Sequence, residues 1–152
     1  MAEEVLAEYI RDGVVESKHF GHLIALDSEG KIFFSKGDPD ALVYPRSAIK
    51  SIQASAMVRH GLDPQVRLLA LVCASHSGAK SHQEGALEIL RGAGLTEAAL
   101  QCVVDKPLGI AERKEWGDKA PTRLAMNCSG KHAGMLATCV ANGWLFRVVQ
   151  IL

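Results

Sequence analysis

The chain carries the segment YPRSAIK at residues 44–50, in which a proline precedes a serine and a lysine three positions apart. A residue before proline favours extended backbone, whereas proline itself is well tolerated in a first helical turn. The segment therefore predicts a helix that begins near Ser47. Residues three apart on a helix share a face, with Cβ atoms about 5–6 Å apart, so we expect the Ser47 hydroxyl beside the Lys50 amine.

These two residues are of the types used as a serine nucleophile and its base. A serine hydroxyl is weakly nucleophilic until a base takes its proton, and a lysine is such a base only when neutral, a form that burial favours. The start of a helix would favour an alkoxide on Ser47 and disfavour a charge on Lys50. The same spacing also occurs in helices where serine begins the helix and lysine is solvated. The motif alone therefore leaves both interpretations open.

Two further segments combine small polar residues with nucleophilic or metal-binding ones. CASHSG at residues 73–78 ends an apolar run, and NCSGKHAG at residues 127–134 opens a helical stretch. Taken singly, His76 could be a loop histidine and Cys128 a small buried hydrophobe. Together with residues 44–50, and in this order, they resemble the bacterial asparaginase II family, whose fold is similar to that of serine β-lactamases and serine–lysine glutaminases.

The resemblance runs from about Gly13 to Trp144 and is most specific at residues 127–132. Shorter matching pieces are Val15–Ser17, Gly21–His22, Gly37–Pro39 and Leu124–Met126. Ala79-Lys80 departs from the Glu-Pro found at this place in relatives, which puts substrate contacts there in doubt more than the chemistry.

The resemblance implies an L-asparaginase-like amidohydrolase that converts L-asparagine, its small-molecule substrate, to L-aspartate and ammonia. It makes Ser47 the nucleophile and Lys50 the general base. A serine of the second segment would relay a proton, and we choose Ser77 over Ser75. The structural alternative for Ser77 is a turn residue that satisfies backbone groups ahead of Gly78.

Cys128 and Lys131 resemble the zinc ligands of the family, whose third ligand is a cysteine from the later half of those proteins. Lysine must be neutral to bind a metal, and the spacing brings thiol and amine to one side of the helix start. His132 or Cys139 could replace the third ligand, but Cys139 lies about 12 Å beyond Lys131 at 1.5 Å per residue. The resemblance thus implies a zinc site that lacks its third ligand. Alternatively, Cys128 has a structural role and binds no metal.

The expected fold is α/β, of the serine β-lactamase and glutaminase kind, with an N-terminal β-hairpin followed by helices and with the later part of the fold missing. Hydrophobic periodicity predicts strands at residues 14–18, 22–26 and 31–35, and helices at 47–60, 81–91, 96–101 and 130–141. Residues 66–73 are apolar all round, which fits a buried helix or a buried strand, and we favour the helix. Residues 105–120 are predicted as a surface loop because Pro107, Gly109 and Gly117 interrupt them.

Residues 1–144 are expected to be the N-terminal part of an asparaginase II-like domain, and residues 145–152 an atypical apolar tail. Relatives continue for roughly as many residues again, so we expect truncation or a frameshift; the tail could instead be a strand paired onto the hairpin. An inactive remnant or a small-ligand-binding fragment is therefore the alternative outside catalysis. A glutaminase or a β-lactam-binding serine enzyme would share the SxxK motif but not the NCSGK block.

Composition restricts the class of protein. The 152 residues have a formal net charge of +0, so there is no electrostatic case for binding nucleic acid or an anionic membrane. No apolar run is long enough to span a bilayer, and the acidic start, MAEE, is unlike a signal peptide. We therefore expect a cytoplasmic protein whose four cysteines are thiols or ligands. A homodimer is also expected.

Overall fold

The computed structural model describes residues 3–146 and divides the chain into two compact units, Met1–Tyr44 and Pro45–Leu152. The predicted apolar tail, residues 145–152, lies outside the described residues from position 147 onward. None of the helices in the described range has the length and apolar content needed to cross a membrane.

The first unit contains two antiparallel hairpins. β1 (Glu4–Arg11) pairs with β2 (Val14–Gly21), and β3 (Leu23–Leu26) pairs with β4 (Ile32–Lys36). The three predicted strands are thereby confirmed as β2, β3 and β4, whereas β1 was not predicted. Asp12 and Gly13, both with positive φ, form the tight turn that joins β1 to β2.

The second unit is helical. Its α-helices in the described range are α1 (Lys50–Arg59), α2 (Val66–Cys73), α3 (Lys80–Gly92), α4 (Ile110–Trp116) and α5 (Ser129–Asn142). Short 3-10 helices occupy Arg46–Ile49 and Glu97–Ala99. Four of the predicted helices are confirmed as α1, α2, α3 and α5, and hairpins followed by helices confirm the coarse α/β class. The β-lactamase-like fold stays a prediction.

Two predictions in this unit were wrong. The helix predicted at residues 96–101 is only a single 3-10 turn, because the backbone becomes extended at Leu100, which is buried in the core. The loop predicted at residues 105–120 contains α4. Gly109 is the N-cap of that helix and Gly117, with φ of +58°, is its C-cap. These glycines bound a helix rather than interrupt one.

Helix α5 lies at the centre of the core. Its Ala133 and Leu136 are fully buried against apolar side chains of α1, α2 and α3. Two glycines permit close packing on α2: a Cβ added at Gly130 would lie 2.6 Å from Leu71 Cγ, and one at Gly134 would lie 2.9 Å from both γ-carbons of Val72. The small residues of NCSGKHAG thus bring the start of α5 against the end of α2.

Candidate active site

The predicted serine and lysine lie at the start of α1. Ser47 is exposed in the 3-10 turn Arg46–Ile49, and Lys50, whose backbone N–H donates to Ser47 O, is the first residue of α1. Arg46 has φ of +45°, a left-handed conformation that costs a non-glycine residue about 1–3 kcal/mol. Strained backbone therefore directly precedes Ser47, as is common at functional sites.

Lys50 is buried, with 4% of its surface exposed. Its Nζ lies within hydrogen-bond distance of Ser75 Oγ (2.5 Å), Cys128 Sγ (3.0 Å) and Ala74 O (3.2 Å). Within the described range these partners include no carboxylate. Lysines are seldom buried unless paired with a negative charge, and catalytic bases are a frequent exception.

The two serines of CASHSG face different groups. Ser75 contacts Lys50, whereas Ser77 Oγ donates to Glu112 Oε1 at 2.6 Å and lies 3.4 Å from His82 Nδ1. The hydrogen bond from Ser77 lowers the pKa of the Glu112 carboxyl, with a smaller contribution from a backbone hydrogen bond. The structure therefore brings Ser75, rather than the predicted relay Ser77, beside the lysine. Sequence spacing could not distinguish them, because both serines lie in one irregular segment.

Ser77 also makes the backbone contacts of a turn residue. Its carbonyl accepts the Gly109 N–H at 2.8 Å, and its hydroxyl oxygen accepts the Ala79 N–H at 3.4 Å. A Cβ at Gly109 would lie 2.7 Å from the Ser77 Cβ, so only glycine permits this approach. The start of α4 is thereby held against the segment that carries both serines.

His76 is a residue whose role the sequence did not reveal. It is buried, and its backbone N–H donates to Asn127 O. Ser129 Oγ donates to Leu124 O, so its contact with His76 Nε2 at 2.9 Å requires a proton on Nε2. His76 Nδ1 then accepts the Gly78 N–H at 3.1 Å. Burial, with the nearby His82 and Lys50, lowers the pKa of His76 to about 4.

The predicted zinc ligands lie at the start of α5. Cys128 is the N-cap and is partly exposed, whereas Lys131 is buried in the first turn. The sulfur of Cys128 contacts Lys50, and the structure thus joins the predicted catalytic and metal-binding groups. His132 is buried too, and its Nδ1 has no hydrogen-bond partner in the described part of the chain. Burial, together with Lys131 and Lys50, lowers the pKa of His132 to about 4.

These donors fit zinc only in part. A thiolate and a neutral amine are suitable ligands, but a structural zinc site normally has four. Among residues 3–146, no three His, Cys, Asp or Glu side chains lie close enough together to hold a metal ion.

A cavity of about 470 Å³ lies beside the two serines. Ser75, Ser77, Ser81, His82 and Arg67 contribute polar groups to its lining. Its volume lies in the range of small-molecule sites, and hydroxyl, imidazole and guanidinium groups can bind a polar ligand.

Two comparisons with known proteins bear on the segments that form the candidate site. The comparison with curated proteins gave no match. The family model described as L-asparaginase II matches residues 7–148, which include Ser47, Lys50, both serines of CASHSG and the NCSGKHAG block. The chain belongs to the L-asparaginase II family.

Proposed function

We propose that this chain carries the nucleophile and base of an L-asparaginase, which hydrolyses L-asparagine to L-aspartate and ammonia. The observation that carries the proposal is the environment of Lys50, which is buried against Ser75 and Cys128 one turn after Ser47. Family membership supports the amidohydrolase class.

In the proposed reaction, Lys50 Nζ takes the proton of Ser47 as Ser47 Oγ attacks the side-chain carbonyl carbon of asparagine. The tetrahedral intermediate collapses by breaking the C–N bond, and ammonia leaves with a proton returned from Lys50. Water then attacks the acyl-enzyme with Lys50 again as base, which releases aspartate and restores the serine.

A hydroxyl beside Lys50 would pass the proton toward the leaving nitrogen. Ser77 was predicted for this role from the sequence, and Ser75 is the serine that contacts Lys50. We propose Ser75 as a second candidate, since a relay has to be within hydrogen-bond reach of the group that supplies its proton.

Cys128 and Lys131 are the proposed zinc ligands, with donors beyond these two needed to complete the site. A bound zinc would supply positive charge beside Lys50 and would hold the start of α5. No step of the reaction described above passes through the metal.

The test is ammonia release from L-asparagine and L-glutamine, together with ring opening of a β-lactam, measured with the unmodified chain and with Ser47→Ala. We expect a preference for asparagine and a loss of kcat of at least about 10³-fold in the variant. Ser51→Ala is the matched control, because Ser51 is an exposed serine one position beyond Lys50. A preference for glutamine or the lactam would contradict the asparaginase assignment.

The same assay separates the two relay candidates. We expect Ser75→Ala to lower kcat by about 10²-fold or more, because general acid–base contributions are of this size. Ser77→Ala should mainly weaken the docking of α4. A large kcat loss in Ser77→Ala alone would favour the relay predicted from the sequence.

A further inference from the structure

An amine and a thiol that are remote in sequence meet at the start of two helices. Lys50 Nζ, on α1, lies 3.0 Å from Cys128 Sγ, at the N-cap of α5. The amine is also held by Ser75 Oγ and Ala74 O, so its position beside the sulfur is fixed by three contacts. Such a pair can become a covalent link if the sulfur is oxidised.

Cys128 differs from two of the other cysteines in its access to solvent. Cys102 and Cys139 are buried, and burial raises the pKa of both thiols. Buried thiols of this kind are chemically inert, whereas reactive ones are partly exposed and lie near positive groups. Cys128 is partly exposed and contacts Lys50. Cys73 is also partly exposed and serves as the internal comparison.

We propose that Lys50 and Cys128 form an oxidative crosslink when the chain meets a peroxide. In the first step the sulfur of Cys128 attacks one peroxide oxygen. An S–O bond forms, the O–O bond breaks and water leaves; the sulfur is oxidised by two electrons to a sulfenic acid, and the peroxide is reduced.

In the second step the lone pair of the Lys50 amine attacks the oxidised sulfur. An S–N bond forms, the S–O bond breaks, and the hydroxyl leaves as water with one proton of the amine. One thiol, one amine and one hydrogen peroxide thus give one sulfenamide and two waters. Sulfenic acids are known to condense with nitrogen in this way.

Geometry favours this product over further oxidation of the sulfur. The amine is already in contact with the sulfur, so the condensation is intramolecular and gains from proximity. The shift needed to close the bond occurs at the end of a flexible four-carbon chain.

The crosslink would remove the free amine of Lys50, and a thiol reductant would restore it. That regulatory consequence rests on the proposed function, whereas the crosslink itself does not.

The experiment uses the purified chain, reduced, freed of metal with a chelator and then treated with hydrogen peroxide. Digestion and mass spectrometry should give one joined peptide pair that contains Lys50 and Cys128 and is lighter than the sum of its parts by two hydrogens. Trypsin should no longer cleave after Lys50, and dithiothreitol should restore both the cleavage and the separate peptides.

Variants locate the link. Cys128→Ser should abolish the joined pair, and Cys73→Ser should leave it unchanged. Peptide mapping of the unmodified chain needs no variant, so the test does not depend on how these substitutions fold. Cys128 recovered as a sulfinic acid, or in a disulfide with Cys73, with the Lys50 peptide unmodified, would overturn the proposal. Because the readout is a mass, a chain without amidase activity would refute the proposed function and leave this result unaffected.

Discussion

His76 connects the segments 73–78 and 127–134 of the candidate site through its neutral ring and its backbone N–H. It binds the start of α5 through Ser129, the turn at Gly78 through Nδ1, and Asn127 through its backbone N–H. The Nδ1 atom accepts a backbone N–H, so adding a proton there would remove the acceptor and place two donors face to face. The neutral ring is therefore part of the folded structure.

This arrangement predicts a loss of stability in mild acid. The pKa of His76 falls from 6.5 to about 4 on folding, so between these values the unfolded chain binds the proton and the folded chain does not. The stabilisation is complete above pH 6.5 and is lost progressively as the pH falls toward 4. The contribution of His76 to the free energy of unfolding in urea should drop by about 2 kcal/mol from near pH 7 to near pH 5.

The matched variants for this prediction are His76→Gln and His19→Gln, since His19 is exposed on β2. The first should flatten the pH dependence, and the second should preserve it. Some slope should persist in His76→Gln, because the pKa of His132 is lowered to about 4 as well. An equal slope in all three proteins would show that His76 does not carry the effect.

At the scale of residues, spacing could predict the positions of Ser47 and Lys50 but not their surroundings. The sequence identified Lys50 and Cys128 separately, yet their contact depends on how α1 packs near α5. The choice between Ser75 and Ser77 depends on the path of an irregular segment. The sequence allows His76 to be a loop histidine, because burial of a polar side chain in a turn leaves no periodic signal.

At the scale of elements, prediction from the sequence succeeded for helices that bury an apolar face. It was less successful for elements that are held by other contacts. α2 follows from its apolar run, and α5 follows from its apolar residues and from Gly143, which ends it. β1 and α4 were missed because their sequences, EVLAEYIR and IAERKEW, contain charged residues and bury little surface. β1 forms because it pairs with β2, a long-range contact that local propensity does not encode.

The contact between α5 and α2 gives a prediction about stability. A Cβ at Gly130 would lie 2.9 Å from the Leu71 carbonyl oxygen, which belongs to helical backbone and cannot move aside easily. We expect Gly130→Ala to lower the free energy of unfolding by a net amount of about 1–2 kcal/mol. This value already includes the stabilisation of up to about 1 kcal/mol that alanine gains over glycine in helix propensity. Thermal and urea unfolding would measure this change.

Gly92 supplies the control for that substitution, because it lies in α3 and an added Cβ would meet nothing within 4 Å. Gly92→Ala should leave the stability unchanged or raise it slightly. An equally well tolerated Gly130→Ala would show that the close packing of α5 on α2 does not require glycine at position 130.

The start of α5 gives a prediction about zinc. Cys128 and Lys131 together provide two of the four ligands of a structural site, so zinc should bind weakly and be lost on dialysis. Metal content after dialysis measures this, with Cys128→Ser expected to abolish the weak binding and Cys102→Ser to leave it intact. One tightly held zinc per chain would contradict the prediction and would point to His132, whose buried Nδ1 is unpartnered in the described range, as a further ligand.

At the scale of the whole molecule, the first unit exposes much of its apolar surface. Its hairpins are two-stranded, and such ribbons are marginally stable in water unless another surface covers them. Large side chains are exposed on all four strands, among them Tyr9, Ile10, Phe20, Ile24 and Phe33. Extensive exposed apolar surface can mark an interface or a site of association.

We therefore expect the chain to self-associate, with the predicted homodimer as the simplest state. Phe33 is 81% exposed on β4, and Phe33→Thr removes its apolar ring while keeping a residue that favours strands. Sedimentation should give the unmodified chain a mass above the 16.3 kDa of a monomer, and the variant should shift toward the monomer at equal concentration.

Ile110→Thr is the control, because Ile110 is 90% exposed on a helix of the second unit and should not contribute to association through strands. A chain that sediments as a monomer at every concentration, or an equal shift in both variants, would show that the exposed strands of the first unit do not drive association.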